Sequence, residues 1–197
     1  MTDPRHTQQN LVETEVSSEV RYQGSFLNVR HDQVSLPNGE ITSREYILHP
    51  GAVVVIPLLD DGRVLMERQY RYPLRQVFIE FPAGKIDAGE DPLVCAQREL
   101  QEETGYQAEQ WQFICTIHNA IAYADEHLDL FLAKGLTAGA ARLDEEEFLE
   151  TFAATPAQLM QWVREGVITD VKTVIGIFWL EKILAGQWQL EKSDGLS

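Results

Sequence analysis

The segment from Val77 to Tyr106 constrains this chain more than any other. It holds an apolar strand, a loop with two glycines, and a helix carrying three closely spaced carboxylates. Val77-Phe78-Ile79-Glu80-Phe81 reads as the strand and Pro82 to Gly89 as the loop, with glycines at 84 and 89. Asp91 is a suitable N-cap, Pro92 suits the first helical position, and Gly105 fits the left-handed residue that ends a helix. A helix turns about 100° per residue, so Glu99, Glu102 and Glu103 lie within about 100° of one another, beside the apolar stripe of Leu93, Ala96 and Leu100. Three like charges in one patch repel. They are tolerable on a solvated face, or useful where a divalent cation sits between them. Oxygen-only donors favour a hard ion, Mg²⁺ or Mn²⁺. Because the acidic patch borders the apolar stripe, it is expected at the rim of a core, where a cleft can form.

The rest of the chain divides at about residue 50. Residues 1–17, polar and terminal, are expected to be a disordered or loosely attached N-terminus. Residues 18–49 form a β region in which Phe26–Leu36 and Ile41–Leu48 flank the turn Pro37-Asn38-Gly39-Glu40. Residues 50–197 make the main domain. Within it Ala52 to Leu59 is a continuous apolar run, expected as a buried central strand. Arg63–Tyr70, Trp111–His118 and Leu128–Ala133 read as further strands, and 135–147 as a polar loop. Thr155-Pro156 starts a helix that stops near Gly166, and Asp170 caps a last helix to about Leu184. Strands packed between the acidic helix and the C-terminal helices predict an α/β/α sandwich with a mixed β-sheet, preceded by an N-terminal antiparallel sheet.

A net charge of −15 and a pI near 4.6 argue against general nucleic-acid binding and against an anionic membrane surface. An anionic substrate must then be received locally, by a metal and a few arginines. No apolar run approaches the ~20 residues of a membrane span. Met1 to Gln9 lacks the apolar core of a signal peptide, and Cys95 and Cys115 have neither metal nor redox spacing. Free buried thiols and a cytoplasmic location are expected.

Gly84, Glu90, Arg98, Glu99, Leu100, Glu102, Glu103, Gly105 and Tyr106 stand at the spacing Gly-x5-Glu-x7-Arg-Glu-U-x-Glu-Glu-x-Gly-U, where U is a bulky apolar or aromatic residue. On that pattern the chain resembles a Nudix hydrolase, a family that cleaves nucleoside diphosphates linked to another group, usually with Mg²⁺. Arg44-Glu45, the Gly-Ala-Val-Val-Val strand and Glu67-Arg68-Gln69-Tyr70-Arg71-Tyr72-Pro73 look like the ADP-ribose pyrophosphatase branch, with similarity over roughly residues 20 to 185. The resemblance implies a Nudix fold, a nucleotide-sugar substrate and a homodimer built through the N-terminal sheets. It also implies metal binding by Glu99, Glu103, the Ala83 carbonyl and a shared or outer Glu102. Arg98 would fix the rotamer of a box carboxylate, and Glu90 would orient rather than ligate.

In this branch the general base lies on an acidic loop before the last helices, here Asp144-Glu145-Glu146-Glu147-Phe148-Leu149-Glu150. Glu147 is the first choice, with Glu146 and Glu145 behind it. Arg71 matches the phosphate-contacting arginine of Gln-x-Arg. Phe26, Arg44 and Glu45 match positions at the adenine and ribose end, and Glu126 matches an acidic residue on the substrate loop. His118 and His127 lack ligand spacing and are expected to be structural. One position departs from the branch: ADP-ribose hydrolases usually carry a proline about sixteen residues after the last box glycine, where this chain has Ile121. That departure keeps diphosphate hydrolysis and leaves GDP-mannose or another nucleotide sugar open. A sensor that binds without turnover is the alternative of another class, although such proteins usually lose box carboxylates that this chain keeps.

Overall fold

The computed structural model describes residues 11–140 and 148–190. These fall into two compact units, one of residues 11–49 and 120–126, the other of residues 50–119 and 127–190 apart from the undescribed positions.

The first unit is a three-stranded antiparallel sheet of β1 (Thr14–Gln23), β2 (Asn28–Ser35) and β3 (Ile41–Leu48), with β2 in the middle. β2 and β3 pair from Asn28↔Leu48 to Ser35↔Ile41 about the expected Asn38-Gly39 turn, where Gly39 has φ +86°. β1 starts at Thr14, inside the segment expected to be loose. Its pairing with Ser35 lies 21 positions along the chain (35 − 14), and such a partner leaves no local pattern. Residues 120–126 join this unit: Ile47 donates its amide to Tyr123 O, and Asp125 donates to Ile47 O.

The second unit holds two sheets. One is mixed, ordered β7 (Ala83–Lys85), β4 (Ala52–Pro57), β9 (His127–Ala138), β8 (Tyr106–His118). The other is antiparallel, ordered β10 (Leu149–Ala154), β5 (Val64–Arg71), β6 (Gln76–Glu80). β4 runs parallel to β9 from Ala52↔Leu128 to Pro57↔Ala133, and every residue of it is buried. A strand covered on both faces needs apolar side chains at every position, which explains the unbroken run. Val53 and Val55 pack with Cys95, Ala96 and Leu100 of α1 (Pro92–Thr104). Val54 and Ile56 pack with Met66, Phe81, Leu159, Ile177 and Leu180 in the core that holds α2 (Pro156–Arg164) and α3 (Val171–Leu184). One strand therefore feeds two cores, and the box helix is fixed on one side of it.

The helix ends follow their local signals. Asp91 accepts from the Leu93 and Val94 amides, and Gly105 takes φ 76°. Thr155 and Gln158 form a reciprocal capping box, and Asp170 caps α3 through the Thr173 amide. Cys95 is a buried free thiol and Cys115 a half-buried one. Among the described residues no helix is long and apolar enough to cross a membrane.

Candidate active site

β7 and α1 build the centre of the site. Glu103, 3% exposed, accepts the Ala83 amide at 3.0 Å through Oε2. One turn earlier Glu99 lies against the backbone of Gly84, so close that a β-carbon there would stand 1.9 Å from the Glu99 carboxyl carbon. The expected loop therefore contains a short strand whose first two residues, Ala83 and Gly84, meet both carboxylates of α1. This brings Ala83, Glu99 and Glu103 together.

Arg98 organises the rest. Its Nε and Nη2 hold both oxygens of Glu90 at 2.9 Å, and its Nη1 reaches Glu99 Oε1 at 2.7 Å and Glu102 Oε2 at 3.0 Å. One guanidinium thus spans three box carboxylates, a bidentate fork being suited to this. Its hydrogen bonds to Glu90 raise its own pKa against the opposing effect of burial. The Arg98 bonds, with the Asp87 amide, lower the Glu90 carboxyl to about 2. Glu90 is accordingly anchored by Arg98 and the Asp87 amide. The Cys95 thiol, pushed up to about 12 by burial and by Glu90, is protonated at neutral pH.

A second charged group stands at the ends of β5, β6 and α3. Arg71 donates from Nε and Nη2 to the two Glu80 oxygens at 2.8 and 2.9 Å. Lys172 Nζ donates to Glu80 Oε2 and, at 3.0 Å, to Asp170 Oδ2. Burial works to raise the Glu80 pKa, but the Arg71 hydrogen bonds and the Lys172 charge outweigh it and hold the carboxyl below the ordinary range. Arg71 borders a cleft of about 500 Å³, also lined by Leu74, Gln76 and Lys172. Sequence reasoning named Arg71 but missed Glu80 and Lys172. Glu80 had a signal: it shares strand parity with the buried Phe78. Lys172 had none, since its partner is 92 positions away.

The remaining expected residues lie in the first unit. Phe26 stacks edge-on against His49 at 6.0 Å, and His49 Nδ1 stands 3.6 Å from Glu126. Phe26 and Glu126 thus meet around one histidine. Arg44 is elsewhere on β3, donating to Glu13 at 2.9 Å, and Glu45 is opposite His31. Ile121, at the position of the absent proline, is 83% exposed in a turn closed by the Tyr123 and Ala124 amides on Ala120 O. His127 packs over Gly51 in the second unit. Glu145, Glu146 and Glu147 lie outside the described residues.

Residues 48–174 match the model of the NUDIX domain. The chain belongs to the Nudix family. Residues 13–47 match the nucleoside diphosphate sugar hydrolase N-terminal domain. Over 171 residues the chain is 41% identical to the methanol dehydrogenase activator of Bacillus methanolicus, covering 86% of this chain and 92% of that one. Over 174 residues it is 36% identical to the ADP-ribose pyrophosphatase of Bacillus subtilis, covering 87% and 94%. A crystal structure of ADP compounds hydrolase matches with a TM-score of 0.80 over 89% of this chain and 95% of that one, at 24% identity, and shows the same fold. As a Nudix hydrolase the chain is an enzyme of a family that requires divalent cations.

The Nudix box fits such an ion. Its donors are oxygens alone, and Gly84 leaves the space that the Glu99 carboxylate fills. Among the described residues no three His, Cys, Asp or Glu side chains converge into a closed metal cage. That is compatible with Mg²⁺, which commonly takes one or two carboxylates and completes its shell with water and substrate phosphates.

Proposed function

We propose that this chain hydrolyses the diphosphate of a nucleoside diphosphate sugar, with ADP-ribose cleaved to AMP and ribose 5-phosphate as the leading case. The observation that carries this is the pair Glu99 and Glu103 seated on Gly84 and Ala83, with Glu99 also held by Arg98. Glu99, Glu103 and the Ala83 carbonyl would hold Mg²⁺, with Mn²⁺ as substitute and Glu102 at its edge. When bound, that ion supplies charge neutralisation and a more acidic water. Arg71 contacts a phosphate oxygen. Phe26, Arg44, Glu45 and Glu126 serve the nucleoside and sugar ends. Glu147 is the general base, with Glu146 and Glu145 next in line. A homodimer is part of this reading: the exposed Val16, Val20 and Tyr22 of β1 leave the N-terminal sheet an apolar surface to cover.

The test is product analysis. The protein with Mg²⁺ is incubated with ADP-ribose, ADP-glucose, GDP-mannose and NADH in parallel. AMP formed fastest from ADP-ribose and abolished by chelator is the expected result. Preference for another compound moves the substrate and keeps the chemistry. A second reading rests on the 41% identity to the Bacillus methanolicus activator: the chain would raise the activity of a methanol dehydrogenase. Methanol oxidation measured with and without this chain decides that reading.

A further inference from the structure

Arg71, Glu80, Lys172 and Asp170 form a linear chain of alternating charge. Only one member reaches well into solvent: the Arg71 side chain is 41% exposed, against 3% for Glu80, 11% for Lys172 and 20% for Asp170. Glu80 takes one N–H each from Nε and Nη2 of Arg71, so both Nη1 hydrogens and the second on Nη2 remain for a phosphate oxygen. Two cations and two carboxylates sum to zero. Without Lys172 the group would carry a net negative charge. An arginine set among uncompensated carboxylates repels the anion it should bind.

Position follows from the same contacts. Asp170 accepts from the Thr173 amide at 3.0 Å and from Thr173 Oγ1 at 2.6 Å, and Thr173 Oγ1 accepts from the Phe81 amide at 3.1 Å. The N-terminus of α3 is thereby tied to the end of β6, one residue past Glu80. Lys172 is the charged part of that tie.

We propose that Lys172 is a positioning residue for diphosphate binding: it neutralises Glu80, fixes that carboxylate against α3, and so presents Arg71 to the substrate phosphate. This rests on the reading of Arg71 as the phosphate contact. It predicts that Lys172 and Arg71 act as one unit, with Lys172 working through Glu80.

The experiment is a double-mutant cycle on the full chain. Binding of α,β-methylene-ADP in the presence of Mg²⁺ is measured by calorimetry for the wild type, Lys172→Met, Lys172→Arg, Arg71→Ala and the double variant Arg71→Ala/Lys172→Met. Lys172→Met is expected to weaken binding about tenfold, as contacting residues in one ion-pair network couple strongly. Lys172→Arg restores most of it, and Lys172→Met adds little once Arg71 is gone. Should Lys172→Met not fold, Lys172→Gln, which keeps a donor to Glu80 without the charge, carries the same cycle. Equal weakening in both backgrounds, or a lower Tm with unchanged affinity, reduces Lys172 to a structural residue and overturns the proposal. Wild type that does not bind the analogue also overturns it. The expected pattern without hydrolysis of any nucleotide sugar removes the proposed function and keeps the role of Lys172.

Discussion

Gly84 and Glu99 occupy space that only a glycine leaves open. A β-carbon on Gly84 would lie 1.9 Å from the Glu99 carboxyl carbon and 2.0 Å from its Oε1. The backbone angles of Gly84 are not left-handed, so the glycine is required by close approach and not by conformation. Gly84→Ala therefore pushes Glu99 off its seat. Misplacement of a group by about 1 Å costs on the order of 10²-fold in rate, and that loss is expected in kcat/KM. Turnover within about twofold of wild type would show that Glu99 binds nothing the reaction needs.

Glu103→Gln separates charge from shape at the same site. The amide oxygen can still accept the Ala83 N–H, so the fold is kept, and loss of one buried negative charge beside Glu99 favours stability. Turnover is expected to fall by about three orders of magnitude, while Tm holds or rises. Steady-state kinetics at saturating Mg²⁺ with a parallel melting curve tests both halves. Near-normal kcat would end the assignment of Glu103 as a ligand.

Acid should loosen the box through Glu90. Its carboxyl is lowered from an ordinary 4.5 to about 2 by Arg98 and the Asp87 amide. Between those values the unfolded chain holds a proton that the folded chain does not, so stability rises with pH across the window. The contribution is fully present above about pH 4.5 and is lost as pH falls through about 2. Glu90→Gln removes it, so the Tm difference between wild type and variant should shrink steadily on acidification through that range. A difference independent of pH would mean that Arg98 does not hold the Glu90 charge.

How far residues reveal structure depends here on how local the cause is. α1 was readable from Asp91, Pro92 and Gly105 because each cap acts within its own turn. β4 was readable because burial on both faces forbids polar residues. β10 was not: Leu149–Ala154 adjoins an acidic run, and its partner β5 lies about eighty positions back, so nothing local marks it as a strand. Gly135 to Ala138, expected in a loop, extends β9 by pairing with an extended β8 that begins at Tyr106, where the adjacent exposed Glu109 and Gln110 interrupt the alternation before Trp111. The site divides along the same line. Arg98 and its carboxylates sit on one helix and one loop and could be anticipated; the Glu80–Lys172 contact joins residues 92 positions apart and could not.

Gly176 tests whether α3 is seated as tightly as that contact requires. A β-carbon on it would meet Phe81 Cε2 at 2.7 Å and Ile56 Cδ1 at 3.2 Å, both from fully buried side chains. Two effects oppose each other in Gly176→Ala. Helix propensity favours alanine by about 1 kcal/mol, whereas overpacking a close-packed core costs about 1–3 kcal/mol. Phe81 is pinned through its amide to Thr173 on the same helix, so it cannot shift without moving the helix, and overpacking should win. A net loss of about 1 kcal/mol lowers Tm by about 3 °C for a chain of this size. Because Lys172 lies one turn earlier on α3, the variant should also weaken α,β-methylene-ADP binding, and less so after Arg71→Ala. Calorimetric melting and the same titration check both effects; a Tm at or above wild type with unchanged affinity would mean that Phe81 yields without cost and that α3 does not hold the phosphate contact in place.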